Sequence, residues 1–310
     1  MYNPKSKIYL YSNPSSNNIT ADVPEHPLPI KQLHLERKEY DVYAPSSREL
    51  NCIDETAVKE HLTANHYDMV LHFAVYGDSI DKSKDGTKTL EYNLRMFHNF
   101  ARYSDCYDRM IYAGSGAEYD KRYPIHMVRE EDLANHSIPT EQYGLMKYIV
   151  NQTIEQSENI YNLRLFGIFG KYVYWRTKYI SNLCCKSLKG LPLTMRRNCY
   201  FDYLWIEDFC HMLEAFMKLD KPQYHVYNAV RGKRIDLYTL AEMVNKVADV
   251  KQPIIVCQEG YADEYTASNG RILKELPGMQ FTDMQDAVRE LYGWYRQHES
   301  EIDIFSLIYG

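Results

Sequence analysis

Five short apolar runs mark the first half of the chain, and stretches of helical periodicity separate them. The runs are Ile8–Ser12, Tyr40–Ala44, Met69–Ala74, Arg109–Ala113 and Ile160–Phe166, most of them rich in the Val, Ile, Leu and Tyr of strands buried on both faces. Asp54–Ala64, Thr87–Tyr103 and Tyr143–Ser157 read as helices, the first with Asp54 as its N-cap and Glu55 in its first turn. Such alternation predicts an α/β protein, a doubly wound parallel sheet with right-handed crossovers. Past residue 170 the rhythm changes. A helix over Trp175–Lys189 stops at Gly190-Leu191-Pro192, Arg197–Leu204 reads as a strand, and Ile206–Lys218, Leu237–Val247 and Asp283–His298 read as helices. The pattern divides the chain into a larger domain over residues 1–168 and a smaller C-terminal one over 169–310, parts of which return to the first. Ligands of open α/β sheets sit beyond the carboxyl ends of the strands, so chemistry is expected just after residues 12, 44, 74, 113 and 166.

Composition narrows the classes. Of 310 residues, 45% are hydrophobic and 25% charged, which excludes a wholly disordered chain. A net charge of −6 argues against nucleic-acid or anionic-membrane partners while leaving room for a local basic pocket. No apolar run approaches the roughly 20 residues that span a bilayer, and Met1–Lys7 lacks the apolar stretch of a secretory signal. The seven cysteines, Cys52, Cys106, Cys184, Cys185, Cys199, Cys210 and Cys257, are odd in number and contain no Cys-x-x-Cys pair. They argue against a disulfide framework or a zinc site and fit the cytoplasm. The His residues are scattered without metal-ligand spacing, so no metal is expected.

One constellation carries chemistry. Gly114-Ser115-Gly116 directly follows a predicted strand, which aims Ser115 at the crevice. Tyr143 and Lys147, four residues apart, share one face of the next helix. The spacing alone means little in a chain with 29 Tyr, and Tyr174/Lys178 repeats it. Only the first pair follows a strand-end serine and opens a helix that leads to a further buried strand.

Ala113-Gly114-Ser115, Tyr143-Gly144-Leu145-Met146-Lys147 and Leu163-Arg164-Leu165-Phe166-Gly167-Ile168-Phe169-Gly170 together resemble the extended short-chain dehydrogenase/reductase family. The branch resembled is the NAD-dependent epimerase/dehydratase type, the nucleotide-sugar epimerases, dehydratases and ketoreductases, fucose-synthase-like members included. His72-Phe73-Ala74, Asn93 and the stretch Phe201-Asp202-Tyr203-Leu204-Trp205-Ile206-Glu207-Asp208 extend the likeness over residues 40–300, with Phe201 standing where relatives carry arginine. The resemblance implies a Rossmann-type dinucleotide-binding domain followed by a substrate-binding one, and Ser115, Tyr143 and Lys147 as catalytic residues. A tyrosine near its free pKa of about 10 is a poor base at neutral pH. An adjacent ammonium and an oxidised nicotinamide would stabilise its phenolate. Ser115 would hold the reacting sugar oxygen, and Lys147 the nicotinamide ribose.

Absences narrow the reaction. Where water-eliminating members resemble Thr-Asp-Glu, this chain has Ser115-Gly116-Ala117; Glu118 comes one place late and on a strand-like path would face the other side. The Cys and His of members that epimerise C3 and C5 are replaced by Ala117 and Phe169. The expectation that remains is a nucleotide-sugar 4-ketoreductase or C4 epimerase serving deoxysugar and surface-polysaccharide synthesis.

The cofactor side departs from the family. After the first strand the chain reads Ser12-Asn13-Pro14-Ser15-Ser16-Asn17-Asn18-Ile19, without the glycines that let a backbone approach a pyrophosphate; the first glycine is Gly77. Three readings stay open for residues 13–36: an unusual backbone path around the dinucleotide, a non-catalytic sugar-nucleotide-binding or scaffold relative, or a corrupted segment. Ala44-Pro45-Ser46-Ser47-Arg48 ends the second strand with hydroxyls and a guanidinium that suit a 2′-phosphate, favouring NADP over NAD. The cofactor residues expected from the resemblance are Ser46, Ser47, Arg48, Asn51, Asp54, Phe73, Ala74, Tyr143, Lys147 and Phe166. For a nucleotide-diphosphate sugar the expected contacts are Ser115, Lys178, Arg196, Arg197 and Arg271, with Tyr172, Tyr174, Trp175 and Tyr200 available to stack. A homodimer through the helices at Thr87–Tyr103 and Tyr143–Ser157 is implied by the resemblance.

Overall fold

Alternate residues of each strand point to opposite sides of the sheet, and the core is divided to match. The computed structural model describes residues 6–11, 40–76, 86–173 and 175–309. Its strands are β1 (Ser6–Tyr11), β2 (Tyr40–Tyr43), β3 (Tyr67–His72), β4 (Tyr107–Ser115), β5 (Ile125–Val128), β6 (Ile160–Leu165) and β7 (Gly167–Phe169), then β8 (Leu193–Met195), β9 (Tyr200–Trp205), β10 (Val226–Asn228), β11 (Arg234–Asp236), β12 (Ile254–Val256) and β13 (Tyr265–Ala267). Its helices are α1 (Glu55–Ala64), α2 (Thr89–Ala101), α3 (Gln142–Glu155), α4 (Tyr179–Leu188), α5 (Ile206–Met217), α6 (Leu237–Val247), α7 (Gly270–Glu275), α8 (Met284–Gln297) and α9 (Ile304–Tyr309).

The main sheet has the order β2-β1-β3-β4-β6-β10, with every pairing parallel. Tyr9, Val70, Met110, Tyr112 and Ile160 face one way, onto Val58 and Leu62 of α1, Phe97 and Phe100 of α2, and Met146 and Val150 of α3. Ile8, Leu10, Met69, Leu71, Ile111 and Leu163 face the other way, into a larger core with Leu183 of α4, Phe216 of α5, Leu240 of α6 and Leu291 of α8. This is the doubly wound arrangement of a Rossmann-type fold. The strand order reverses at β1, which lies between β2 and β3, so the crevice opens beyond Tyr11 and its register partner His72.

A second sheet, β11-β9-β13-β5 with β7 against β9, stands beside the first. The two halves of the chain exchange strands. β5 leaves the first half to pair with β13, and β10 returns from the second half to edge the main sheet. No helix among the described residues is long and apolar enough to cross a membrane.

Several boundaries move from their predicted places for local reasons. The strand expected over Arg197–Leu204 begins at Tyr200; before it Asn198 makes only an isolated parallel bridge to Tyr261, while its Nδ2 donates to Asp236 (3.1 Å) and its Oδ1 accepts from Cys199 N (3.0 Å). The helix expected from Trp175 begins at Tyr179, since Asn182 Nδ2 reaches back to the Arg176 carbonyl at 3.2 Å and Lys178 is extended. β10 is a three-residue strand, too short to show a period in the sequence. The glycine-free stretch over residues 13–36 lies outside the described residues.

Asp54 is the N-cap of α1, accepting from Thr56 N (2.9 Å) and Ala57 N (3.3 Å). Asp54→Ala is expected to cost about 1 kcal/mol in urea unfolding, and Asp54→Asn to restore most of it.

Candidate active site

β4 ends at Ser115, whose extended backbone (φ −149°, ψ 145°) caps a single 3₁₀ turn over Gly116–Glu118. Ser115 Oγ accepts from Ala117 N at 3.1 Å, which leaves the hydroxyl proton for donation. The same turn corrects the expected position of Glu118. It does not continue along a strand; it curls back so that its Oε1 accepts from Ser115 N at 3.1 Å. Glu118 is fully buried and ion-paired with Arg164. Buried and paired, it offers no free carboxylate at the end of β4.

α3 opens on Glu141, whose carboxylate caps it by accepting from Gly144 N (2.7 Å) and Tyr143 N (3.0 Å). Tyr143 is half-buried; Lys147, one turn on, is only 1% exposed. Lys147 Nζ donates to the Ala113 carbonyl at 2.6 Å, tying the helix to the strand that ends at Ser115. It lies 4.3 Å from the ring centre of Tyr112 and 5.7 Å from that of Tyr143. Burial pushes the ammonium down to about 7, and the Glu118 carboxylate pulls the other way. His72, at the end of β3, is pushed down to about 3 by burial and by the Lys147 charge, so it stays neutral.

A residue far along the chain joins them. Tyr265 of β13 lies within hydrogen-bonding reach of Ser115 and in the field of Tyr143, and burial pushes its phenol up. A Cβ at Gly116 would come within 2.4 Å of Tyr265 Oη and 2.7 Å of the Phe166 ring, so only glycine admits both rings. Phe166 and Tyr265 are 4.8 Å apart, and Phe201 lies 5.7 Å from Tyr265.

Of the expected cofactor residues, Tyr143 and Lys147 belong to α3, whereas Ser46, Ser47, Arg48, Asn51 and Asp54 follow β2, Phe73 and Ala74 follow β3, and Phe166 follows β6. After β2, Glu49 folds back to accept from Ser46 N at 2.7 Å, and Ser47 and Arg48 are exposed. Asn51 Oδ1 accepts from Ile53 N at 3.2 Å. Phe73 and Ala74 are buried after β3, Phe73 6.2 Å from Phe209. Asn93 pins the next segment, donating to Tyr76 O (2.8 Å) and accepting from Tyr76 N (2.9 Å). Hydroxyls beside a guanidinium at Ser46–Arg48 fit the donor chemistry of a 2′-phosphate.

The model of the NAD dependent epimerase/dehydratase family matches residues 32–229, more than half of the sequence. The chain belongs to that family. A comparison of the sequence with curated proteins gives no match. Among solved structures, the chain is similar to MlghC, a GDP-mannoheptose C4 reductase from Campylobacter jejuni with NADP bound. The two are 13% identical with a TM-score of 0.79, covering 96% of this chain and 100% of that one. It is also similar to a GDP-L-fucose synthetase from Naegleria fowleri bound to NADP (14% identity, TM-score 0.73, 95% and 94% covered). A third is the UDP-glucose 4-epimerase of Thermotoga maritima with UDP-glucose (12% identity, TM-score 0.72, 94% and 99% covered). At these identities the likeness is one of fold.

On the side expected to meet substrate, this family member scatters its cations. Lys178, Arg196 and Arg197 are exposed, and Arg197 donates to Gln258 at 3.3 Å. Arg271 is engaged elsewhere: it pairs with Glu131 (3.2 Å) and lies 4.4 Å over the Tyr224 ring. Of the aromatics, Tyr172 packs edge-on to Trp294 at 5.2 Å, Trp175 is buried, and Tyr200 stacks on Tyr261 at 5.3 Å. Tyr174 lies outside the described residues. Sequence reading missed Tyr265, which carries no local signal, and Asn151, which did carry one: it stands four residues after Lys147 on the same helix face.

The buried ammonium has a measurable consequence. The unfolded chain keeps the Lys147 proton up to about 10.5, whereas the folded apoprotein releases it near 7, so this group makes stability rise with pH between those values. Below that window both states are charged and the burial cost is felt in full. Lys147→Met is therefore expected to melt higher than the unsubstituted protein at pH 6, with the gap closing towards pH 10, in thermal scans without cofactor.

Proposed function

We propose that the protein is an NADP-dependent nucleotide-sugar 4-ketoreductase. One observation carries the reading: the Lys147 ammonium reaches the carbonyl of Ala113, so Tyr143 is drawn against the strand that ends at Ser115. The GDP-mannoheptose C4 reductase and the GDP-L-fucose synthetase of the same fold, both holding NADP, support the cofactor and the substrate class.

Bound NADPH supplies the hydride. The chain's own residues handle the sugar oxygen. Ser115 Oγ, already accepting from Ala117 N, donates to the C4 carbonyl oxygen, a bond that strengthens as negative charge grows there. Tyr143 Oη delivers the proton to that oxygen. The nearby Lys147 ammonium favours the phenolate left behind and is available to the nicotinamide ribose. Arg48, with Ser46 and Ser47, receives the 2′-phosphate. Tyr265, Phe166 and Phe201 wall the sugar and keep water from the reacting carbon.

The test is absorbance of the reduced nicotinamide with GDP-, UDP-, dTDP- and CDP-4-keto-sugars, the GDP-sugars first. Consumption of NADPH in step with substrate is expected; a C4 epimerase would use the same residues and leave NADPH unconsumed. Tyr143→Phe is expected to lower turnover at least about 100-fold with NADPH affinity unchanged. Arg48→Ala is expected to weaken NADPH about tenfold and leave NADH unaffected. Failure to bind either cofactor would end the enzyme reading. The same family reading includes a homodimer through α2 and α3, which light scattering tests.

A further inference from the structure

The displaced carboxylate of Glu118 is the centre of a buried polar cluster. Its side chain and that of Arg164 are both 0% exposed, and Arg164 Nε donates to it. Asn162 Nδ2 donates to both of its oxygens (3.1 and 3.2 Å), and Ser115 N donates at 3.1 Å. Arg164 Nη2 and Asn162 Nδ2 then both reach Asn151 Oδ1, at 3.0 and 2.9 Å. Asn151 belongs to α3, four residues from Lys147 and eight from Tyr143, so the three share a helix face. A Cβ at Gly114 would come within 1.9 Å of Asn162 Oδ1 and 2.6 Å of Glu118 Oε1; glycine lets the cluster press directly against β4. The end of β4 and the middle of β6 thus meet on one carboxylate, and the same two β6 side chains tie it to Asn151 on the inner face of α3.

Stability is a poor account of this arrangement. Apolar residues of like volume usually stabilise a core at least as well as a fully buried ion pair, because both charges must be desolvated. The hydrogen bonds, however, run to the backbone of Ser115 and to the helix that carries Tyr143 and Lys147. We propose that Glu118 is a positioning residue, which fixes Ser115 against the Tyr143–Lys147 face so that both hydroxyls converge on one substrate oxygen. Glu118 itself touches no substrate. This role rests on the function proposed above for Ser115 and Tyr143. The opposition of Glu118 to the burial shift of Lys147 agrees with it.

The test uses the full chain with two variants. Glu118→Gln removes the charge and keeps an acceptor for Ser115 N. The double variant Glu118→Met/Arg164→Met removes both charges, so that neither is left buried alone. Turnover, KM, NADPH affinity and hydrogen exchange of residues 113–119 are measured in each. The expected result is a folded double variant with wild-type NADPH affinity and KM, a kcat lower by about 100-fold, and faster exchange confined to residues 115–118. Wild-type kcat per folded molecule with wild-type exchange would reduce the pair to a structural role and overturn the proposal. Should Glu118→Gln fail to fold, the double variant decides. Should the unsubstituted protein bind NADPH yet reduce no 4-keto-sugar, the proposed function falls separately and exchange decides: a local rise at 115–118 upholds the positioning role, and no change overturns it.

Discussion

A helix and a strand of different curvature must be held in register for two side chains to act on one atom, and here a buried ammonium does it. Lys147 Nζ donates to the Ala113 carbonyl, two residues before Ser115 and one helical turn from Tyr143. Placing a charge where it is 1% exposed opposes folding, as the lowered basicity of Lys147 records. The fold accepts that cost at the rim of the sheet, where functional groups of parallel α/β proteins collect. The aromatic surroundings, Tyr112 beneath the ammonium and His72 kept neutral beside it, leave the amine few competing partners.

The site is completed by the exchange of strands between the two parts of the chain. Pairing of β13 with β5 carries Tyr265 to Ser115, and the missing side chain of Gly116 gives its phenol room. The rings of Phe166, Phe201 and Tyr265 then form an aromatic wall beside the serine. Phe201 stands where the resemblance leads one to expect arginine, and Arg271 is engaged with Glu131. The wall itself presents aromatic faces and the Tyr265 hydroxyl.

Much of the fold was legible before the structure. The short apolar runs of the strands, the helices between them and the Asp54 cap are local features, and local features are written in neighbouring residues. One boundary shifted beside a bond between distant residues: Asn198 reaches Asp236, and the strand begins two residues later, at Tyr200. Glu118 was read as strand and proved to be a buried turn, because its partners Asn162 and Arg164 come from β6. Spacing puts Asn151 on the Lys147 face, but what it does there is set by its partners on β6, Arg164 and Asn162.

Neighbouring residues were enough to set the strands and the helices between them, the serine at a strand end and the Tyr143–Lys147 face, because each depends on residues at most a few positions apart. Tertiary structure alone decided which buried charges face each other, that Tyr265 joins the serine, and that Arg271 is paired with Glu131. Those outcomes depend on which strands lie side by side. Burial then turns proximity into energy by stripping water from Glu118, Lys147 and Arg164, and no reading of neighbouring residues contains that step.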